Sequence, residues 1–521
     1  MRKVTVLDTT LRDGAQGAGI QFSAQDRRAI ALLLDGLGVD YIEAGQSAAH
    51  PGDAAFFAAK PALKHAKLAV FGATARKGVP PGEDAGLAAL LAADTGTVAL
   101  FGKSSAAQAR IVLRCEPGEN LGMIESSVAF LTGRGREIIY DAEHFFDGFR
   151  EDAAYALETL RAARRGGAAL LTLCDTNGGT LPDEIDAAVR RVMTEIGGAV
   201  GIHTHNDAGM ADANSLAAVL AGAEHVQGTL LGFGERCGNA NLATVIAALQ
   251  IKRSFRCIPD GSLPELTRVC RAVADIANVT IPQNLPYVGE NAFTHKAGMH
   301  IDAVLKSPAT FEHIPPESVG NRSGLTASGL AGRSYLLEQI RLVFPGRVFQ
   351  KDDPEIVSFM NALKEDEGLS YEAAEASLLL RIRRHFGSYT PAFSLNQMRV
   401  ISEGTDRIDE SSTAILNLRV GGRDTLSAGQ GDGPVHALDR ALTRALEIFY
   451  PDVHQMRLTD YKVRVLNPGE ATAARVRVLI SSADGASAWS TVGVSENIVH
   501  ASWQALSDSV EYFLLNRGAI Q

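Results

Sequence analysis

Cysteine is scarce in this chain. There are five in 521 residues, and none forms a CxxC pair. Cys115, Cys174, Cys237, Cys257 and Cys270 keep no regular spacing, which excludes a disulfide frame or a cysteine zinc site and points to reduced thiols in a cytoplasmic protein. No apolar run is long enough to span a bilayer. Met1-Arg2-Lys3 leads straight into a strand-like run, so no signal-peptide core is expected. Positive charge is in deficit: 50 Lys and Arg stand against 60 Asp and Glu, a formal net charge of −10. That argues against nucleic acid or an anionic membrane surface as partner. A small anionic ligand remains within reach of a local Arg or Lys cluster or a helix N-terminus. No GxGxxG follows an early strand, which removes the usual signature of a dinucleotide-binding open sheet.

What the chain has is length and apolar periodicity. With 46% hydrophobic residues over 521 positions, it is too long for one ordinary core. Eight short apolar runs, at 3–7, 39–44, 68–71, 98–101, 137–140, 168–174, 199–203 and 226–230, alternate with amphipathic stretches. Continuous apolar runs are expected of parallel strands covered on both faces. Ser23 reads as an N-cap and Gly36-Leu37-Gly38 as a stop for one helix, while Thr180-Leu181-Pro182-Asp183-Glu184 opens another. Eight strand–helix units in about 250 residues are the arithmetic of a (β/α)8 TIM barrel. We therefore expect an α/β chain with a catalytic barrel at 1–280. A helix is expected at 263–277, and helical linker subdomains covering the active site follow at 281–393, with helices at 329–344, 354–364 and 371–386. An α+β domain at 394–521 completes the chain.

A barrel should carry its functional residues at the C-terminal ends of its strands. Polar residues collect there: Arg12 and Asp13 after the first strand, Glu43 after the second, Tyr140 to His144 after the fifth, Asp175 to Asn177 after the sixth, His203 and His205 at the seventh, and Glu235 to Asn239 after the eighth. Arg12 beside Asp13 suits either a surface ion pair or a site in which a carboxylate holds a cation and a guanidinium grips a substrate carboxylate. His203 and His205, two apart at a strand end, point to one side. Alone they suit either a hydrogen-bonded closure of the barrel mouth or a metal site. Joined to Asp13 across the rim they form a mixed His and carboxylate set, with Asn239 as a further contact, for Mg, Mn, Co or Zn.

The segments 7–16 (LDTTLRDGAQ), 173–179 (LCDTNGG), 203–207 (HTHND), 232–239 (GFGERCGN) and 295–300 (HKAGMH) resemble, in order and over nearly the full length, the signatures of the 2-isopropylmalate / homocitrate / citramalate synthase family. The segment 140–148 (YDAEHFFDG) and the last third are most similar to its citramalate-forming branch. The resemblance implies a metal-dependent acyltransferase that condenses acetyl-CoA with a 2-oxo acid and hydrolyses the thioester. In this branch the oxo acid is pyruvate and the product starts a route to isoleucine. In the isopropylmalate-forming branch, the alternative, it is 2-oxoisovalerate. By the same resemblance Asp13, His203, His205 and Asn239 hold the metal. Arg12 faces the keto or carboxylate oxygen, Thr176 bonds the carboxylate, Gln16 supports them, and Glu143 and His300 serve acid/base chemistry. His300 lies in a segment that in this family reaches an active site, often the partner subunit's. Relatives commonly carry a catalytic tyrosine shortly after it, where this chain has Phe311. Leu100 and Tyr140, bulky residues at strand ends, are expected to wall the pocket to the size of pyruvate.

From about 395 the period changes to strict alternation at Ala414, Leu416, Leu418 and Val420. A Gly- and Ser-rich loop is expected at 421–434, able to hold a carboxylate on its backbone N–H groups, and a helix at 435–450. Strands at 458–465, 474–481 and 488–494 and a helix at 496–515 repeat the pattern. The resemblance makes this a regulatory domain that supports a homodimer and binds the end-product amino acid, isoleucine for this branch.

Overall fold

In the computed structural model, which describes residues 2–46, 51–295, 298–325, 333–350, 352–366, 369, 371, 374–387, 389–403, 411–466, 474–485 and 487–518, the eight apolar runs close into a barrel. Its strands are β1 (Thr5–Asp8), β2 (Tyr41–Glu43), β3 (Lys67–Ala73), β4 (Thr97–Lys103), β5 (Glu137–Glu143), β6 (Leu170–Asp175), β7 (Val200–Thr204) and β8 (His225–Gly228). All pair in parallel and in chain order, and β8 returns to β1. This is the expected TIM barrel. Helix α1 (Ala24–Leu37) starts at Ser23, whose hydroxyl accepts from the Asp26 amide while the Asp26 carboxylate accepts from the Ser23 amide. It stops at Gly38, whose φ of +89° suits glycine. Helix α2 (Pro117–Thr132) covers β4 and β5 from outside.

Strand alternation sets which residues face inward. Leu7, Ile139 and Leu170 form one buried cluster, and β1 and β5 lie on opposite sides of the ring, so these side chains meet through its interior. Their strand neighbours face the helices.

The chain divides into two compact units, Met1–Phe293 with Ile314–Ser323, and Thr294–His313 with Gly324–Gln521. In the second, β9 (Thr294–His295) and β10 (Gly324–Leu325) form a short parallel pair. Helices α3 (Gly298–Lys306), α4 (Arg333–Val343), α5 (Pro354–Glu365) and α6 (Glu375–Phe386) share a core around Ile301, Ile340, Phe359 and Leu378. Of the expected helices, residues 329–332 and 372–373 lie outside the described residues.

The C-terminal part repeats a three-strand-and-helix unit. Strands β11 (Phe393–Glu403), β12 (Ser411–Val420) and β13 (Arg423–Gly431) precede α7 (Pro434–Leu446), and β14 (Arg457–Val465), β15 (Val476–Ala483) and β16 (Ala488–Ser495) precede α8 (Ile498–Asn516). The first unit thus has two strands more than expected, and the second has the three expected. The expected loop at 421–434 is mostly β13, antiparallel to β12. Gly421 and Gly422, both at positive φ, make a two-residue hairpin turn. The backbone N–H groups proposed to hold a carboxylate therefore belong largely to a sheet strand. Arg384 on α6 reaches Asp508 Oδ1 at 2.7 Å and Glu511 Oε2 at 3.1 Å on α8, and Tyr389 also bonds Glu511.

Asp8, at the end of β1, turns outward and is fully buried. Its Oδ1 accepts from the Thr10 amide at 2.8 Å. Oδ2 has no hydrogen-bond partner among the described residues. Burial pushes this carboxyl up to about 7, against the pull of Thr10 and the Leu230 backbone. An unfolded aspartate releases its proton near 3.8, so the folded chain binds more protons between these values and stability falls as pH rises through that window. Asp8→Asn removes this titration. The melting temperature of the variant relative to the parent should rise from pH 4 to pH 7 and level off above. Parallel melting curves across that range would show that Asp8 does not titrate this way.

Candidate active site

The loop after β1 is a tight turn in which the Thr9 carbonyl accepts from the amides of Arg12, Asp13 and Gly14 at 2.9–3.1 Å. Leu11 is buried beneath it. Arg27 on α1 donates through Nη1 to the carbonyls of Leu11 at 2.5 Å and Ala44 at 3.0 Å, and pairs with Asp53 at 3.0 Å. One buried guanidinium thus ties the loop carrying Arg12 and Asp13 to the end of β2 carrying Glu43. Arg12 Nε donates to Glu43 Oε2 at 2.7 Å, and Nη1 lies 3.2 Å from Asp13 Oδ2. Its guanidinium carbon sits 3.8 Å from the Phe71 ring centroid, and Phe71 stacks on Phe101 at 5.0 Å.

Asp13 brings the late histidines into one group. Its Oδ2 lies 3.4 Å from His203 Nε2 and 3.8 Å from His205 Nε2, and the two imidazole nitrogens are 3.4 Å apart. All three residues are buried. These gaps are wide for hydrogen bonds. The two 3.4 Å gaps match the spacing of about 3–3.6 Å between donors that share one cation at about 2.0–2.2 Å, and the 3.8 Å gap lies just above it. Asp13 Oδ1 and Asn239 Oδ1 are buried with no hydrogen-bond partner among the described residues. The donors and the bare oxygens fit a divalent cation.

Asn239 is held beside His205 by an antiparallel backbone bridge, and its Nδ2 donates to the Phe233 carbonyl at 3.0 Å. Two glycines shape its loop. A Cβ at Gly234 would lie 2.2 Å from Asn239 Nδ2, and one at Gly238 would lie 2.0 Å from the Gly232 carbonyl oxygen.

Electrostatics follow from burial and charge. Burial opposes ionisation of Asp13, but Arg12 and then His203 outweigh it and hold the carboxyl well below its usual range. Burial, then His203, pushes His205 down to about 4. Burial pushes Glu43 up to about 7, against the attraction of Arg12.

The other expected residues fall as follows. Glu143 ends β5, with Oε2 2.6 Å from Lys103 Nζ on β4. Thr176 Oγ1 accepts from the His144 amide at 2.8 Å, and His144 takes a left-handed φ of +58° there. Gln16 is exposed on the turn after Asp13. His300 lies on α3 in the second unit, its ring stacked 4.1 Å from that of Phe311. Phenylalanine therefore supplies a packing face and no hydroxyl at that histidine.

Leu100 and Tyr140 require correction, because they do not face the barrel mouth. Register partners Thr172 and Asp141, and Asp141 and Phe101, carry the inward set around the ring. Leu100 and Tyr140 are paired one residue earlier and so face outward. A Cβ at Gly102 would touch both the Tyr140 hydroxyl at 2.8 Å and Ile124 of α2 at 3.1 Å, which places Tyr140 in the layer between strands and helices. The aromatic wall beside Arg12 is Phe71 and Phe101.

Sequence reading also missed Gln227. It receives a hydrogen bond from His203 Nδ1 at 3.0 Å on Oε1, and its Nε2 donates to Asp141 Oδ1 at 2.8 Å and to Thr172 Oγ1 at 3.1 Å. Its signal was the register of β8 against β7, which sets it beside His203.

Comparisons with known proteins agree with this architecture. The HMGL-like family model matches residues 3–273, the homocitrate synthase post-HMGL domain-like model 287–343, and the LeuA allosteric (dimerisation) domain 372–514. The chain is 48% identical to an (R)-citramalate synthase of Aquifex aeolicus over 98% of each chain. It is 45% identical to one of Geobacter sulfurreducens over 99% of this chain and 98% of that one. It is 31% identical to a 2-isopropylmalate synthase of Pyrococcus furiosus over 97% of this chain and 98% of that one.

The cluster makes a direct prediction. In calorimetric titration of the metal-stripped chain with Mn²⁺, Asp13→Asn and His205→Ala should each weaken binding at least tenfold. Cys237→Ser, exposed on the loop that carries Asn239, should leave it unchanged. Undiminished affinity in Asp13→Asn would remove the cation from this cluster.

Proposed function

The chain belongs to the (R)-citramalate synthase family of acetyl-CoA-dependent acyltransferases, and we propose that the barrel-mouth cluster is where it condenses acetyl-CoA with pyruvate and water to give (R)-citramalate and CoA. The observation that carries this reading is the convergence of Asp13, His203 and His205 within a chain that is similar over its full length to such enzymes.

The residues divide the work by chemistry. Asp13, His203, His205 and Asn239 would hold a divalent cation, which would supply Lewis acidity for a ketone oxygen. Arg12 is held rigid by Glu43, Asp13 and the face of Phe71, so its guanidinium meets a substrate oxygen without reorganising. Thr176 hydrogen-bonds the oxo acid's carboxylate, and Gln16 supports this edge of the site. The acetyl methyl gives up a proton, its carbon bonds to the keto carbon, the keto oxygen takes a proton, and water then cleaves the thioester. Glu143 is the proposed acid/base group at the strand end, held in place by Lys103 Nζ at 2.6 Å. His300 is the second, and its assignment comes from the family's sequence pattern. The aromatic pair Phe71 and Phe101 beside Arg12 supports a small oxo acid.

The LeuA-type domain supports a homodimer regulated by an end-product amino acid, which for citramalate formation is isoleucine. The five cysteines are all unpaired, in keeping with a cytoplasmic enzyme, and among the described residues no helix is long and apolar enough to cross a membrane.

An assay of CoA release with a panel of oxo acids tests the substrate. Pyruvate should give the highest kcat/KM, and 2-oxoisovalerate should trail by a graded margin, since each added carbon in an apolar pocket discriminates by about 1–3 kcal/mol. EDTA should abolish turnover, and added Mn²⁺ should restore it. Higher kcat/KM with 2-oxoisovalerate would transfer the chain to 2-isopropylmalate synthesis. Millimolar isoleucine should lower turnover or raise Tm. If it does neither, the C-terminal domain does not bind this effector.

A further inference from the structure

The two imidazoles of the cluster are not held alike. His205 Nδ1 is buried with no hydrogen-bond partner among the described residues. His203 Nδ1 lies 3.0 Å from Gln227 Oε1. Gln227 is itself fully buried and anchored at its other end, where Nε2 donates to Asp141 Oδ1 at 2.8 Å and Thr172 Oγ1 at 3.1 Å. These four side chains come from four consecutive strands, β5 to β8, and all point into the barrel.

The chain of bonds has a direction. The Gln227 amide nitrogen lies against Asp141 Oδ1 and Thr172 Oγ1, where it donates, and its amide oxygen lies against His203, where it accepts. An amide oxygen cannot donate, so His203 keeps its proton on Nδ1. Any proton displaced by a cation therefore leaves from Nε2, the atom facing Asp13 and His205. The same bond fixes the ring's rotation about its Cβ–Cγ bond.

We propose that Gln227, oriented by Asp141 and Thr172, is a positioning residue that locks His203 into the tautomer and ring orientation able to bind the divalent cation. The proposal rests on the metal reading of the cluster and deepens it. A partner that orients a ligating histidine typically matters tenfold to a hundredfold in metal affinity.

The test is Mn²⁺ affinity of the full, metal-stripped chain by calorimetry, with the melting temperature of the metal-free protein recorded alongside. Gln227→Leu puts an apolar side chain of similar size in its place and removes both the acceptor for His203 and the donor to Asp141 and Thr172. It should bind Mn²⁺ at least tenfold more weakly than the parent while its metal-free Tm shows the fold intact. Gln227→Glu restores an oxygen for the His203 Nδ1 proton and shares one proton with Asp141. It should bind within tenfold of the parent and more tightly than Gln227→Leu, a rescue that a purely structural role would not produce. A loss below tenfold in Gln227→Leu overturns the proposal, and so does a Gln227→Glu variant no tighter than Gln227→Leu. If Gln227→Leu does not fold, Gln227→Glu decides alone: binding within tenfold supports the lock, and weaker binding overturns it. A parent that binds no Mn²⁺, with His203→Ala indistinguishable from it, overturns the metal reading rather than the lock alone.

Discussion

A carboxylate buried at the mouth of an apolar barrel is the constraint on which the rest of this structure depends. Asp13 is almost fully buried, and a charge so placed is costly unless other charges and dipoles surround it. The fold meets that cost from both ends of the barrel sequence. Arg12 stands next to Asp13 in the chain, while His203 and His205 arrive from almost two hundred residues later. Arg12 in turn is a buried cation, and it needs Glu43 and the face of Phe71. Each layer of compensation recruits the next, so β1, β2, β3 and β7 are tied at one rim by charge as well as by their ladders.

The barrel was legible because its strands are doubly covered and so read as unbroken apolar runs. The three principal cluster residues were legible because a carboxylate after the first strand and a pair of histidines two apart on the seventh make sense together only on a closed ring. The pocket wall was not. An apolar run covered on both faces carries no alternation, so nothing in the residues at 98–101 or 137–140 says which parity faces in. Only the register, which runs from His203 to Gln227 and separately from Thr172 through Asp141 to Phe101, sets it. Once set, Asp141 and Phe101 take the places that Tyr140 and Leu100 had been given. The loop at 421–434 was misread for another reason. Gly and Ser dominate it, yet the paired glycines sit at the turn and the remainder pairs with β12 as an ordinary strand.

The second unit shows how far a repeated plan can go without repeated sequence. Both halves of the C-terminal part place three antiparallel strands before one helix, and both helices bury one face in a shared core that includes Leu442, Leu446, Leu506 and Phe513. The helical segment before them is joined to this core through charge. Arg384 faces two carboxylates on α8, and burial pushes both Asp508 and Glu511 up. One guanidinium between the partly buried Asp508 and the buried Glu511 is a geometry-specific contact that joins α6 to α8.

Several of the buried polar atoms left without a partner gather around the barrel-mouth cluster. A buried donor or acceptor left without a partner costs about 1–3 kcal/mol, and stable folds avoid it. Here Asp13, Glu43, His205 and Asn239 each keep such an atom at the C-terminal rim or on its loops, and so do residues elsewhere, among them His225 at the start of β8 and Arg136 just before β5. The interior layer beneath the rim, built from Leu7, Ile139 and Leu170, is apolar. Of the bare oxygens, Asp13 Oδ1 and Asn239 Oδ1 belong to the residues that flank the two imidazoles. A cation there would satisfy both, which turns an unfavourable feature of the folded chain into affinity for what it binds.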